Sequence, residues 1–67
     1  MQESFIKLSQ FLKLKDLVQS GGEAKYLIQT GHVLVNHEIE RRRGRKLYAG
    51  DQVTFAGQTH DVENPDA

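Results

Sequence analysis

Apolar residues recur at helical spacing over the first half of the chain and at alternate positions over the second. Leu8, Phe11 and Leu12 stand at i, i+3 and i+4 and make one apolar face. Ser9 is positioned as an N-cap, which predicts a helix over residues 10–16 with Leu8 just ahead of the cap as a hydrophobic staple. Phe5 to Lys7 reads as a short strand or an extended entry, Lys13 projects away from the apolar face, and Leu17 and Val18 pack as the chain leaves the helix. Ser20-Gly21-Gly22-Glu23 is a capping box, so a second helix starts there and runs to about Thr30, with Ala24, Leu27 and Ile28 as its apolar stripe. Gly31 suits the left-handed position just past its end.

Beyond Gly31 the period shortens to two. Val33 and Val35 alternate with Leu34, and Asn36-His37 falls where a two-residue hairpin turn belongs. Tyr48 to Asp51 is a turn, and Val53 and Phe55 share one strand face. Gly57-Gln58 is expected to turn the chain again, into a strand from Thr59 to Val62. The segment 63–67, with Pro65, reads as a frayed tail. With no repeat and no linker, residues 1–67 are expected to form one domain whose core spans about 5–62.

A chain of 67 residues buries only roughly 60% of its unfolded surface. A deep substrate cavity would remove side chains that such a core can hardly spare, which argues against an enzyme and against a small-molecule substrate. The absence of cysteine excludes a disulfide framework and fits a reducing compartment. Lys7, Lys13, Lys15 and Asp16 interrupt the early apolar residues, so neither a signal peptide nor a membrane span is read, and a cytoplasmic location is expected.

Charge changes the picture. The formal net charge is zero, yet all nine Lys and Arg lie between Lys7 and Lys46, a window with four acids and hence a surplus of five positive charges. Arg41, Arg42, Arg43, Arg45 and Lys46 form a run broken by Gly44, between two strand signals. A loop of this composition can offer guanidinium forks to several phosphates. Structured RNA, read largely through shape and backbone, suits it. The alternative is a solvated loop whose arginines pair with Glu38 and Glu40. Off both apolar stripes, the loop is expected to tolerate loss of Arg42, Arg43 and Arg45 with little cost in stability.

Lys13 and Lys25 are the candidate helix-face contacts; each also reads as a solvated lysine. Ser20, Gly21 and Gly22 form a candidate phosphate-binding helix N-terminus, although glycines there more often serve backbone geometry. Tyr48 can stack on a base, but reads more readily as partly buried core. His32 can donate to phosphate when protonated, with a plain surface histidine as the simpler reading. His32, His37 and His60 lack metal-ligand spacing, so no metal and no cofactor are expected. No catalytic motif is present, and no catalytic residue is assigned.

Three features follow in series: Ser20-x-x-Glu23-Ala24-Lys25, Gly31-His32-Val33-Leu34-Val35-Asn36, and Gly50-Asp51. Together they resemble the RNA-binding domain first known from ribosomal protein S-four, the alpha-L motif, over about Lys7 to Phe55. Gly21-Gly22-Glu23-Ala24-Lys25 with Arg43-Gly44-Arg45-Lys46-Leu47 is similar to the small stand-alone YbcJ type of that family. Gly21 stands where many members carry arginine, and Asn36-His37 where many carry Asn-Gly. The resemblance implies an α+β fold, two short helices packed on a small mostly antiparallel sheet, whose helix pair and adjoining loop meet structured RNA. It tilts the partner toward ribosomal RNA, with transfer RNA also open.

The expectation is therefore a non-catalytic, monomeric RNA-binding domain acting through Lys13, Lys25, Arg41, Arg42, Arg43, Arg45 and Lys46. The rival is a protein-interaction module whose arginine loop meets an acidic partner.

Overall fold

The structure, a computed structural model, describes residues 4–63; the frayed tail expected over 63–67 lies almost wholly outside them. In chain order the elements are β1 (Ile6–Lys7), α1 (Leu8–Leu14), α2 (Gly21–Gln29), β2 (Val33–Val35), β3 (Glu38–Ile39), β4 (Lys46–Leu47), β5 (Gln52–Phe55) and β6 (Gln58–Asp61). β1 and β4 form a two-stranded ribbon, and the other strands a sheet in the order β3-β2-β5-β6. Every pairing is antiparallel. The α+β architecture of two helices on a small antiparallel sheet is the one expected.

Helix α1 begins two residues earlier than Ser9 predicts. Lys7 is the N-cap, in extended conformation, and its amide donates to Gln10 Oε1 at 3.2 Å. The next two amides, of Leu8 and Ser9, donate to the carbonyls of Arg45 and Arg43 at 2.9 and 3.2 Å. A distant loop thus satisfies donors that a helix start leaves open, a tertiary solution that local sequence does not display. Leu8 is consequently inside the helix and fully buried, not a staple ahead of it. Asp16 takes a φ of 57°, beyond the helix that ends at Leu14.

The Ser20 cap forms as read, its Oγ accepting from the Glu23 amide at 3.1 Å. The glutamate, however, accepts from the amide of Gln19, at 2.8 Å, not from that of Ser20. Ala24 and Ile28 are fully buried, with Leu27 half-buried beside them. Gly31 follows the C-cap Thr30 with φ +85°.

Both hairpins of the larger sheet use two residues with positive φ, the twist that matches flanking strands. Asn36 and His37 have φ of 51° and 70°. The second turn is Ala56-Gly57, at 53° and 79°, not Gly57-Gln58, so β6 begins one residue sooner than expected. Val33, Val35 and Val53 project from one sheet face into a core shared with Leu8, Leu12 and Ile28. Leu47 joins that core from the ribbon.

The Val-x-Val-Asn and Gly-Asp features are one physical unit. Asn36 Nδ2 donates to Asp51 Oδ1 at 3.2 Å, and Asn36 Oδ1 accepts from the Gln52 amide at 2.9 Å. Asp51 Oδ2 accepts from the Tyr48 amide at 2.8 Å. This clamp sets where β4 ends and β5 begins, and so anchors the far end of the arginine loop.

Candidate nucleic-acid interface

The loop from Arg41 to Lys46 is organised around an acid. Glu40 is 7% exposed, the one buried charged residue among those described. Its Oε2 accepts from the Arg42 amide at 3.1 Å and Arg42 Nε at 2.9 Å. Its Oε1 accepts from Arg42 Nη2 at 3.2 Å and Arg45 Nη1 at 2.7 Å. The fork of Arg42 thus grips both carboxylate oxygens, the strong bidentate geometry of a charged hydrogen bond. Arg42 most of all, with Arg45, lowers the Glu40 pKa to about 2, against the opposing push of burial. Glu40 in turn raises that of Arg42.

Two of the five loop cations are therefore paired with a buried carboxylate, much as the pairing alternative foresaw for Glu40. Arg42 keeps most of its side chain in solvent, 74% exposed against 33% for Arg45. Removing these two would strand a buried carboxylate, so the expected tolerance of the loop to arginine loss does not extend to them.

Arg41 has another task. Its Nη1 donates to the Gln29 carbonyl at 3.4 Å, at the C-terminal end of α2 where a cation is favoured. Its guanidinium lies over Gly31, 3.3 Å from where a Cβ would stand. Gly31 thus suits its place twice over, by its positive φ and by the room it leaves for the Arg41 guanidinium.

Arg43 meets Lys7 and Lys13 at an open groove of about 330 Å³ lined by Lys7, Ser9, Gln10, Lys13, Gly21, Arg43 and Gly44. It brings together one side of α1, the start of α2 and the middle of the loop, the juncture expected to be cationic. The amides of Gly21 and Gly22 lie ahead of the first helical hydrogen bond of α2, and both residues are exposed. A second groove, lined by Arg42, Gly44, Arg45, Lys46 and Tyr48, lies on the other side of Gly44. Lys25 is exposed on α2 but lines neither groove, and the same holds for Arg41, Ser20 and Gly22.

Lys7 is the groove cation that sequence reasoning passed over. Its signal was present: in a strand, Lys7 must face opposite to the inward Ile6. Ser9, Gln10 and Gly44 carry no such signal, since the bonds between the start of α1 and the loop place them. His32 and His37 are exposed, and His60 Nε2 is buried without a hydrogen-bond partner. Among the described residues no cluster of His, Cys, Asp or Glu is arranged to hold a metal ion. No described helix is long and apolar enough to cross a membrane.

A helix pair packed on a small antiparallel sheet is the architecture implied by the resemblance, and comparison with known proteins decides the family. The family model described as S4 domain matches residues 1–63. The chain belongs to the S4 domain family. This S4 domain is 58% identical over 52 residues to a probable ribosome maturation protein, RlbA, of Bacillus subtilis (strain 168), covering 78% of this chain and 73% of that one. It is 39% identical over 57 residues to the putative RNA-binding protein YbcJ of Escherichia coli (strain K12), covering 85% and 81%. An uncharacterized YbcJ of Shigella flexneri matches to the same extent.

Proposed function

We propose that this S4 domain binds structured RNA, ribosomal RNA in the first place and transfer RNA next, as a cytoplasmic monomer that catalyses no reaction on it. The observation that carries the reading is the groove shared by Lys7, Lys13, Arg43 and the open start of α2. Lys7 and Lys13 come from α1 and its lead-in strand, and Arg43 from the loop, so one run of backbone phosphates can touch all three. Membership of the S4 family and the printed names of the two relatives, one RNA-binding and one serving ribosome maturation, support the same partner.

Within this reading the loop cations divide. Arg43 acts as a phosphate contact, together with Lys7 and Lys13. Arg42 and Lys46 contribute from the neighbouring groove. Arg41 and Arg45 mainly fix the surface on which the others stand.

The test is a titration of folded ribosomal RNA fragments, transfer RNA and duplex DNA at one salt concentration, with the wild type and with a Lys13→Ala/Arg43→Ala double variant. Folded RNA should bind more tightly than DNA, because no long basic helix is available for the major groove. The double variant should melt like the wild type and bind weakly. Unchanged RNA affinity in the variant overturns the site, and failure of the wild type to bind any RNA overturns the function. Capture of an acidic protein instead would favour the interaction-module reading.

A further inference from the structure

The β1–β4 ribbon has two unlike faces. Ile6 and Leu47 pair across it and turn inward, Leu47 fully buried. Lys7 and Lys46 pair on the outward face. One step beyond that pair, the rings of Phe5 and Tyr48 meet on the same face, centroids 6.3 Å apart and planes tilted by 57°. Lys46 Nζ stands 4.9 Å over the Phe5 ring. Phe5 is 43% exposed, although a phenylalanine in a domain this small is worth most inside the core. Tyr48 lines the groove formed with Arg42, Gly44, Arg45 and Lys46.

This ribbon also links the two grooves. Lys7 lines the first and Lys46 the second, and Gly44 lines both. A Cβ on Gly44 would meet no atom within 4 Å, so the space beside this shared residue is open. A strand of RNA whose phosphates lie on Lys7, Lys13 and Arg43 can therefore continue over Gly44 toward Tyr48.

We infer that the outer face of the β1–β4 ribbon is a stacking site for an unpaired nucleobase, held on Tyr48 and Phe5 while Lys46 and Arg42 take the adjoining phosphates. The inference rests on the RNA reading of the first groove and adds to it the class of nucleotide at the second: single-stranded residues flanking a folded element. Phosphate contacts alone do not call for aromatic rings. Aromatic rings interleaved with cations on an exposed strand surface suit bases with a free π-face. The site is indifferent to base identity, because stacking uses the face and not the edges.

The chain has two tyrosines and no tryptophan, so a Tyr26→Phe variant makes Tyr48 the sole tyrosine emitter. The probes are one RNA hairpin with blunt ends and the same hairpin with a short oligoadenylate tail at either end, at low salt. The tailed hairpin should quench Tyr48 emission and bind roughly 5- to 150-fold more tightly than the blunt one, the range for one stacked base. Tyr48→Leu, and separately Phe5→Leu, should remove that gain, so that each variant binds the tailed and the blunt hairpin alike. Equal binding of both hairpins with unchanged emission overturns the stacking site and leaves the RNA reading standing. If the wild type binds neither hairpin, the RNA reading falls and this inference with it.

Discussion

Arg45 Nη1 donates to Glu40 Oε1 at 2.7 Å, and through that bond a buried acid sets the shape of an arginine loop. Arg42 closes the other side of the carboxylate. The carbonyls of Arg43 and Arg45 then lie where the first amides of α1 need acceptors. Glu40 thus acts twice over, on the loop directly and on the start of α1 through it. The surface proposed to meet RNA is held from beneath by an acid that RNA itself would repel.

The low pKa of Glu40 makes stability depend on pH. Its folded value is about 2 against an ordinary 4.5. A depressed carboxylate pKa means that the stabilisation is complete above the unfolded value and is lost as pH falls through the folded one. Thermal midpoints should hold down to about pH 5 and fall between pH 4.5 and 2, with on the order of 2 kcal/mol at stake once exposure of Arg42 is allowed for. Glu40→Gln should lower the neutral-pH midpoint and flatten this acid limb. An acid limb of equal depth in the variant would assign it to other carboxylates.

Arginine variants should separate by position. Arg42→Ala/Arg45→Ala leaves the Glu40 carboxylate buried without its partners and should cost about 1–3 kcal/mol of stability. Lys13→Ala/Arg43→Ala removes two exposed cations and should stay within about 0.5 kcal/mol of wild type. Denaturant melts of both pairs decide the matter. Equal midpoints would mean that the Glu40 clamp contributes nothing to the fold.

Gly31 and Arg41 should be coupled. Gly31→Ala imposes a Cβ at φ +85° and 3.3 Å from the Arg41 guanidinium. The expected loss is about 1–2 kcal/mol. In an Arg41→Ala background the crowding disappears and only the backbone strain remains, so the same substitution should cost less. A double-mutant cycle reads the difference. Strict additivity would place the whole cost in the backbone.

Much of the fold was legible because its signals are local. Ser20 with Glu23, Gly31 after the second helix, and Val33 with Val35 each carry their geometry within a few residues. What escaped is carried by contacts distant in sequence. The start of α1 depends on carbonyls of Arg43 and Arg45, some 35 residues on, so Ser9 looked like a cap it is not. The partition of the basic run was equally hidden: five adjacent cations look alike as a string. Only the fold shows that Arg41 turns to a helix end, Arg42 and Arg45 to Glu40, and Arg43 to the open groove. Leu27 and Ile28 illustrate the same limit within one stripe. The pattern makes them equivalent, but Ile28 is fully buried and Leu27 only partly. Ile28→Ala should therefore cost roughly 2–5 kcal/mol and Leu27→Ala distinctly less, measurable in the same melts.

Salt provides the sharpest check on the proposed interface. Each phosphate neutralised by Lys or Arg releases condensed counterion, so log K falls linearly with log salt, by roughly 0.7 to 0.9 per contact. Lys7, Lys13 and Arg43 share one groove, and Arg42 and Lys46 line the next. With three to five such contacts engaged, the slope for folded RNA should lie between about −2 and −4.5. The Lys13→Ala/Arg43→Ala variant should lose two contacts and bring the slope nearer zero by about 1.4 to 1.8, whatever the RNA sequence. Lys25→Ala is the internal control. Lys25 is exposed on α2 but lines neither groove, so its loss should leave the slope almost unchanged, although it too removes a positive charge. A uniform response to all three lysine and arginine losses would mean that RNA senses only the overall positive surplus. In that event the convergence of Lys7, Lys13 and Arg43 beside Gly21 would be a consequence of the fold, and no specific groove would be in use.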